Sequence, residues 1–205
     1  MGLLNRVDPF GVLLETPHRG TLMGNRGGRF HCPETRQVKG RNYVSRQWIC
    51  CRLSFKGRER SVWSKSYTEL FFSDDVAALA AGHRPCFECR RADALAFATA
   101  WGISKGTPSP RAPDMDRVLH RERNISGKTS GHALQPIEGQ TLPDGAMVVC
   151  AGSPYGVWRG QLRLWSFQGY GTEEIPIPPG KVFVITPPSI IGCLRAGYQP
   201  LWFGE

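Results

Sequence analysis

Two cysteines separated by two residues, in Pro85-Cys86-Phe87-Glu88-Cys89, constrain this chain more than any other feature. Such a pair can grip one tetrahedral ion from a tight knuckle, each sulfur about 2.3 Å from the metal. A redox pair of the same spacing opens a long helix inside a βαβ unit. Here a short helical stretch and Gly82 come first, and the segments before them read as hairpins, which favours metal over redox chemistry. A third reading is a pair of ordinary buried thiols. The chain has seven cysteines, an odd number, so they are expected to be thiols or ligands and not a disulfide frame. Residues 1–20 carry Arg6, Asp8 and Pro9 where a secretory leader needs an unbroken apolar stretch, and no run of 18 apolar residues occurs anywhere. A cytoplasmic protein is the expectation.

A zinc site needs two further ligands. His31-Cys32 and Cys50-Cys51 lie upstream; His83, His120, His132, Cys150 and Cys193 are further candidates. Cys51 alternates in phase with Ile49, Leu53 and Phe55, the apolar face of a strand-like stretch over 42–56. Cys150 and Cys193 end the apolar runs MVVC and IIGC and read as core.

The organisation around the knuckle points to an α+β fold. Residues 1–19 read as an irregular arm, and 20–102 as a zinc-stabilised module of hairpins and helices. Within it, Ser61–Phe72 continues the strands. Ser73 caps a helix over Val76–Ala81, and a second helix runs from Arg90 to Trp101, stopped by Gly102. Residues 103–135 form a Pro/Gly/Ser-rich linker with one short helix over Asp114–Arg123. Residues 136–205 read as a β-rich unit, a β-meander or small barrel able to share one core with the module: from 141 on, short apolar runs alternate with Gly and Pro without helical period.

The formal net charge is +9, and it is local. Residues 19–65 hold 12 Lys/Arg against 2 acids, whereas 136–205 hold 4 against 5. Most of these bases are arginines, interleaved with Phe30, Tyr43, Trp48, Phe55 and Trp63. Arginine forks phosphate and stacks on bases, so the segment reads as a nucleic-acid face. Lys56, Arg58 and Arg60 in a turn between strands are the expected phosphate grip, with Arg26 and Arg29 beside the Gly-rich loop GNRGGRF. Trp48 and Trp63 are the expected stacking platforms.

The stretch Phe71–Cys89, FFSDDVAALAAGHRPCFEC, resembles the zinc-binding segment of Ada, the bacterial DNA alkylation-response family. The likeness is close over about 20 residues and looser over 20–100. It implies a zinc-binding, DNA-directed protein in a repair, modification or defence setting. That family places its other two cysteines in Phe-Cys-x-x-x-Cys on an upstream hairpin. Here Phe30-His31-Cys32 stands at the comparable place, with Thr35 where the second cysteine would be. The rebuilt ligand set is Cys86, Cys89, His31 and Cys51, with Cys32 and Cys50 as substitutes. A histidine replacing one thiolate leaves the remaining sulfurs weaker nucleophiles, so structural zinc is expected over a methyl-accepting one.

Nucleobase deaminases offer a rival reading, because they carry His-x-Glu followed by Pro-Cys-x-x-Cys. His120-Arg121-Glu122 supplies the first part, but after the cysteine pair instead of before it. His120 and Glu122 are therefore candidate catalytic groups of a zinc hydrolase or deaminase only if the order is permuted. Gly127-Lys128-Thr129 ends like a phosphate-binding loop, yet Glu122 occupies the place of its first glycine.

Overall fold

The computed structural model describes residues 2–58, 61–123, 135–138 and 142–204. The fold is α+β, with two six-stranded sheets and four helices among the described residues. The first sheet contains β1 (Arg6–Val7), β2 (Leu13–Leu14), β3 (Leu22–Arg26), β4 (Trp48–Arg52), β5 (Leu70–Phe72) and β6 (Arg84–Pro85), in the order β2-β1-β5-β3-β4-β6. The first 19 residues, expected to be irregular, thus contribute the edge strand β2 and its neighbour β1, which runs parallel to β5 with Arg6 opposite Phe71. The strand pattern over 42–56 narrows to 48–52, and Ser61–Phe72 narrows to three strand residues. Trp63 lies in the left-handed region at φ 58°, which breaks any strand there. Its amide donates to the Glu69 carboxylate at 2.8 Å and its indole N–H to the Glu69 carbonyl at 2.9 Å.

Helix α1 (Asp75–Ala80) has all six residues buried: Val76–Ala80 are apolar on every side, and Asp75 is paired with Arg90. Its cap is Asp74, one residue beyond the expected Ser73: the Asp74 carboxylate accepts from the Ala77 amide at 2.8 Å. Helix α2 (Arg91–Lys105) runs past Gly102 to a left-handed cap at Gly106, φ 62°. Gly102 stays inside the helix because the following loop folds back on it; a Cβ there would stand 2.7 Å from the Thr107 carbonyl oxygen. Helix α3 (Ala112–Arg123) follows.

The second sheet comprises β7 (Gln135–Glu138), β8 (Met147–Cys150), β9 (Ser153–Trp158), β10 (Gln161–Ser166), β11 (Gly169–Pro176) and β12 (Lys181–Val184), paired antiparallel as β11-β10-β9-β8-β12-β7. This is the expected meander. It is followed by α4 (Pro188–Arg195), a helix that the apolar runs alone do not predict. Proline at its first position presets the backbone, and Ile190, Ile191 and Leu194 recur on one buried face.

One apolar core joins the two halves. Leu79 of α1, Phe97 and Trp101 of α2, and Met115 and Leu119 of α3 pack with Val148, Val157, Leu162 and Val182 of the second sheet and with α4. The opposite side of α1 packs Val76, Ala77 and Ala80 on Met147, Trp165 and Ile185. Between the sheets, the Trp165 indole N–H donates to the Ser73 hydroxyl at 3.0 Å. Among the described residues no helix is long and apolar enough to cross a membrane.

Candidate metal centre

Strand alternation decides which cysteine of the Cys50-Cys51 pair faces the knuckle. Successive side chains of β4 point to opposite faces. Cys50 enters the core with Leu70, Phe72 and Ala78, where burial raises its thiol pKa, while Cys51 emerges on the other face. Strand β6 pairs parallel to β4, with Cys50 opposite Pro85, and the Cys86 amide donates to the Cys50 carbonyl at 2.9 Å. That pairing brings the knuckle alongside Cys51. The chain then turns, the Arg90 amide donating to the Cys86 carbonyl at 3.0 Å, and Cys89 comes back toward the same point.

The result is one convergent cluster: the sulfurs of Cys51, Cys86 and Cys89 all lie within 4.8 Å of one another, and all three residues are buried. Met23, Ile49, Phe55, Tyr67 and Phe71 form its apolar wall. Two backbone amides point at sulfur, Glu88 to Cys86 and Arg52 to Cys89, both at 3.4 Å. Such donors favour the thiolate form. Hydrogen bonding from the Cys51 thiol is the largest influence on both partners, lowering the Cys89 pKa and bringing Cys86 down to about 5. Cys51 is held protonated in return. Three buried sulfurs that converge on one point, two of them with lowered pKa, are suited to holding a cation, and the cluster could bind a metal ion.

His31, expected as a ligand, is not in the cluster. Its ring is buried and stacked on Trp63 at 5.1 Å. Nε2 donates to the Ser64 carbonyl at 2.9 Å, and Nδ1 bonds the Thr68 hydroxyl at 2.8 Å, so neither nitrogen points at the thiols. The residue pins the loop after Trp63 to the hairpin instead. Its substitute Cys32 donates to the Glu34 carboxylate at 2.9 Å, also away from the cluster. Cys150 and Cys193 stay with the second sheet and α4; burial pushes the Cys193 thiol up to about 12. His132 lies outside the described residues, as do Arg60 and Gly127-Lys128-Thr129.

The His-x-Glu pair does not assemble with the cysteines either. Glu122 accepts from the amide and hydroxyl of Ser189, at 3.2 and 2.6 Å, and so serves the first turn of α4. His120 packs edge-on against Tyr43 at 5.7 Å, and burial followed by the nearby Arg123 and Arg46 cations lowers its pKa. Both residues have packing roles, and the inverted order of the motif matches their placement.

The expected nucleic-acid residues divide by depth. Arg26 and Trp48 are buried, and the Arg26 and Arg123 guanidiniums both lie over the Trp48 ring, 4.0 and 4.2 Å from its centre. Arg26 also donates to the Gly11 carbonyl at 2.8 Å and to His83 at 3.3 Å. Desolvation, then the Arg123 charge, pulls its pKa down to about 9. Trp63 is 1 % exposed. Arg26, Trp48 and Trp63 therefore cannot reach a phosphate or a base. Arg29, Lys56 and Arg58 do face solvent, with Arg58 paired to Glu88 at 2.5 Å.

The residues that sequence reasoning missed are structural cations. Arg84 holds Asp116 with two 2.8 Å bonds, and Arg90 holds Asp75, all four buried. No local signal marks them, because each partner is distant in the chain. Comparison with protein-family models, curated proteins and solved structures finds no match.

Proposed function

We propose that this chain is a zinc-binding, nucleic-acid-binding protein in which the metal is mainly structural. The observation that carries the reading is the convergence of Cys51, Cys86 and Cys89. Those three residues would hold the ion, and borderline-soft Zn²⁺ suits a thiolate-rich donor set. Bound there, zinc would clamp β4 to the start of α2. The places that the Ada-like pattern gives to its other two cysteines are held by His31 and Thr35, and His31 bonds Thr68 and Ser64 instead of joining the cluster. This chain therefore departs from a four-thiolate centre, which favours structure over methyl transfer. Seven free thiols suit a reducing compartment, the cytoplasm.

The nucleic-acid half of the proposal is supported by the basic excess of residues 19–65, and the resemblance favours DNA in a repair, modification or defence setting. Elemental analysis of the purified chain, paired with gel retardation on DNA and RNA at low salt, tests both halves. One zinc per chain and a salt-sensitive shift are expected. Protein with no stoichiometric zinc would end the first half, and failure to retard any nucleic acid would end the second.

A further inference from the structure

We infer that single-stranded nucleic acid binds in a basic groove between the β3–β4 connection and α3, with Tyr43 as its stacking platform. This rests on the nucleic-acid reading above and assigns it a location. Two adjoining cavities, of 710 and 670 Å³, share Arg41, Tyr43 and Val44 at their common border. Arg29, Lys39 and Lys65 line the first, and Arg46 and Arg117 the second, every one of them exposed.

Their charge is largely uncompensated. Arg29, Lys39, Arg41, Arg46 and Lys65 form no ion pair among the described residues, and only Arg117 meets a carboxylate, Asp114 at 3.3 Å. Of the acids that line the groove, Asp116 is committed to the buried Arg84, leaving Glu34. A concave surface of one sign concentrates its field on an incoming phosphodiester chain.

The aromatic content points to a strand and not a duplex. Trp48 is buried and carries two arginines over its ring. Tyr43 is half-buried, lines both cavities, and is fixed by Trp48 at 5.9 Å and His120 at 5.7 Å. A ring held at the junction of two recesses can receive a base that is already unstacked, whereas a duplex keeps its base faces hidden.

The test is fluorescence anisotropy of a labelled oligothymidylate and of the same strand in duplex, over a salt series. Tyr43→Ala is expected to weaken strand binding roughly tenfold, with Tyr43→Phe restoring it. Lys39→Ala, Arg41→Ala and Arg46→Ala together should flatten the log–log salt slope by about 0.7 for each phosphate no longer neutralised. Arg159→Ala, in the turn between β9 and β10, should change nothing. Binding that responds to Lys56→Ala and Arg58→Ala but not to the groove variants would overturn this location while the nucleic-acid reading stood. Tighter binding of the duplex would overturn the choice of a single strand. Wild-type protein that binds neither form would remove both the groove and the broader reading.

Discussion

The Arg90 guanidinium grips the Asp75 carboxylate through two nitrogens, at 2.6 and 2.9 Å, with both side chains buried. Arg90 directly follows Cys89, and Asp75 opens α1, so this pair ties the cysteine knuckle to the most buried helix of the fold. The Tyr198 hydroxyl donates to the same carboxylate at 3.2 Å. Taking two ions out of water is tolerable only while each has the other, and removing one leaves an uncompensated charge. Asp75→Ala is expected to lower stability by about 3–5 kcal/mol in urea denaturation. A loss below about 1 kcal/mol would show that the pair does not anchor the knuckle.

Metal retention should follow the geometry of the cluster. Cys51→Ser, Cys86→Ser and Cys89→Ser are each expected to lower zinc content and thermal stability together, because binding energy at such a site is folding energy. Cys150→Ser, Cys193→Ser and His31→Ala should keep full zinc. His31→Ala should still melt earlier, since it strips the Thr68 hydroxyl and Ser64 carbonyl of a partner, at a cost of about 1–3 kcal/mol. Zinc lost from the His31 variant but kept by the Cys51 variant would refute the assignment.

Glu122 is expected to behave as a helix cap. Its carboxylate satisfies the first turn of α4 through Ser189. Glu122→Ala should cost about 1 kcal/mol, with Glu122→Gln retaining most of that because an amide oxygen still accepts. A nucleobase deamination product made by wild type and absent from Glu122→Gln would reverse this assignment.

Asp74 gives the chain a pH dependence of definite sign. Desolvation is the largest influence on it and raises its pKa from the ordinary 3.8 to about 6, against the opposing bonds from the Ala77 and Phe203 amides. Between those values the folded state holds a proton that the unfolded state has lost. The stabilising contribution is thus complete below about pH 4 and declines as pH rises to about 6. Asp74→Asn should remove this slope, so that the stability of the variant relative to wild type rises across that window in denaturation at stepped pH. A constant difference between the two would show that Asp74 does not titrate there.

The cysteine cluster is largely legible in the sequence. The spacing of Cys86 and Cys89 marks a knuckle, and the phase of Cys51 with Ile49 and Phe55 selects it over Cys50, because strand alternation is a local rule. The position of His31 is not legible: Phe30-His31-Cys32 looks like a ligand run, and its real partners, Thr68 and Ser64, are fixed only by tertiary contacts. Depth is equally hidden at Arg26, Trp48 and Trp63. Alternating bases and aromatics read as an exposed face, yet cation–π stacking lets arginine go inside with tryptophan. The meander is evident from its apolar runs between Gly and Pro. Helix α4 escapes a sequence reading because its eight residues, starting at proline, are too short for a clear period.

The core shared by α1 and the second sheet bears on how the chain would be handled by proteases. Val76, Ala77 and Ala80 are covered on one side by Met147, Trp165 and Ile185, so a fragment ending before the meander would bare an apolar helix to water. A nick within the meander would do the same. Loosening at the cysteine end would, by the same packing, expose strands far along the chain to cleavage. Opening at the cysteine end and cleavage within the meander are therefore expected to be coupled through this shared packing.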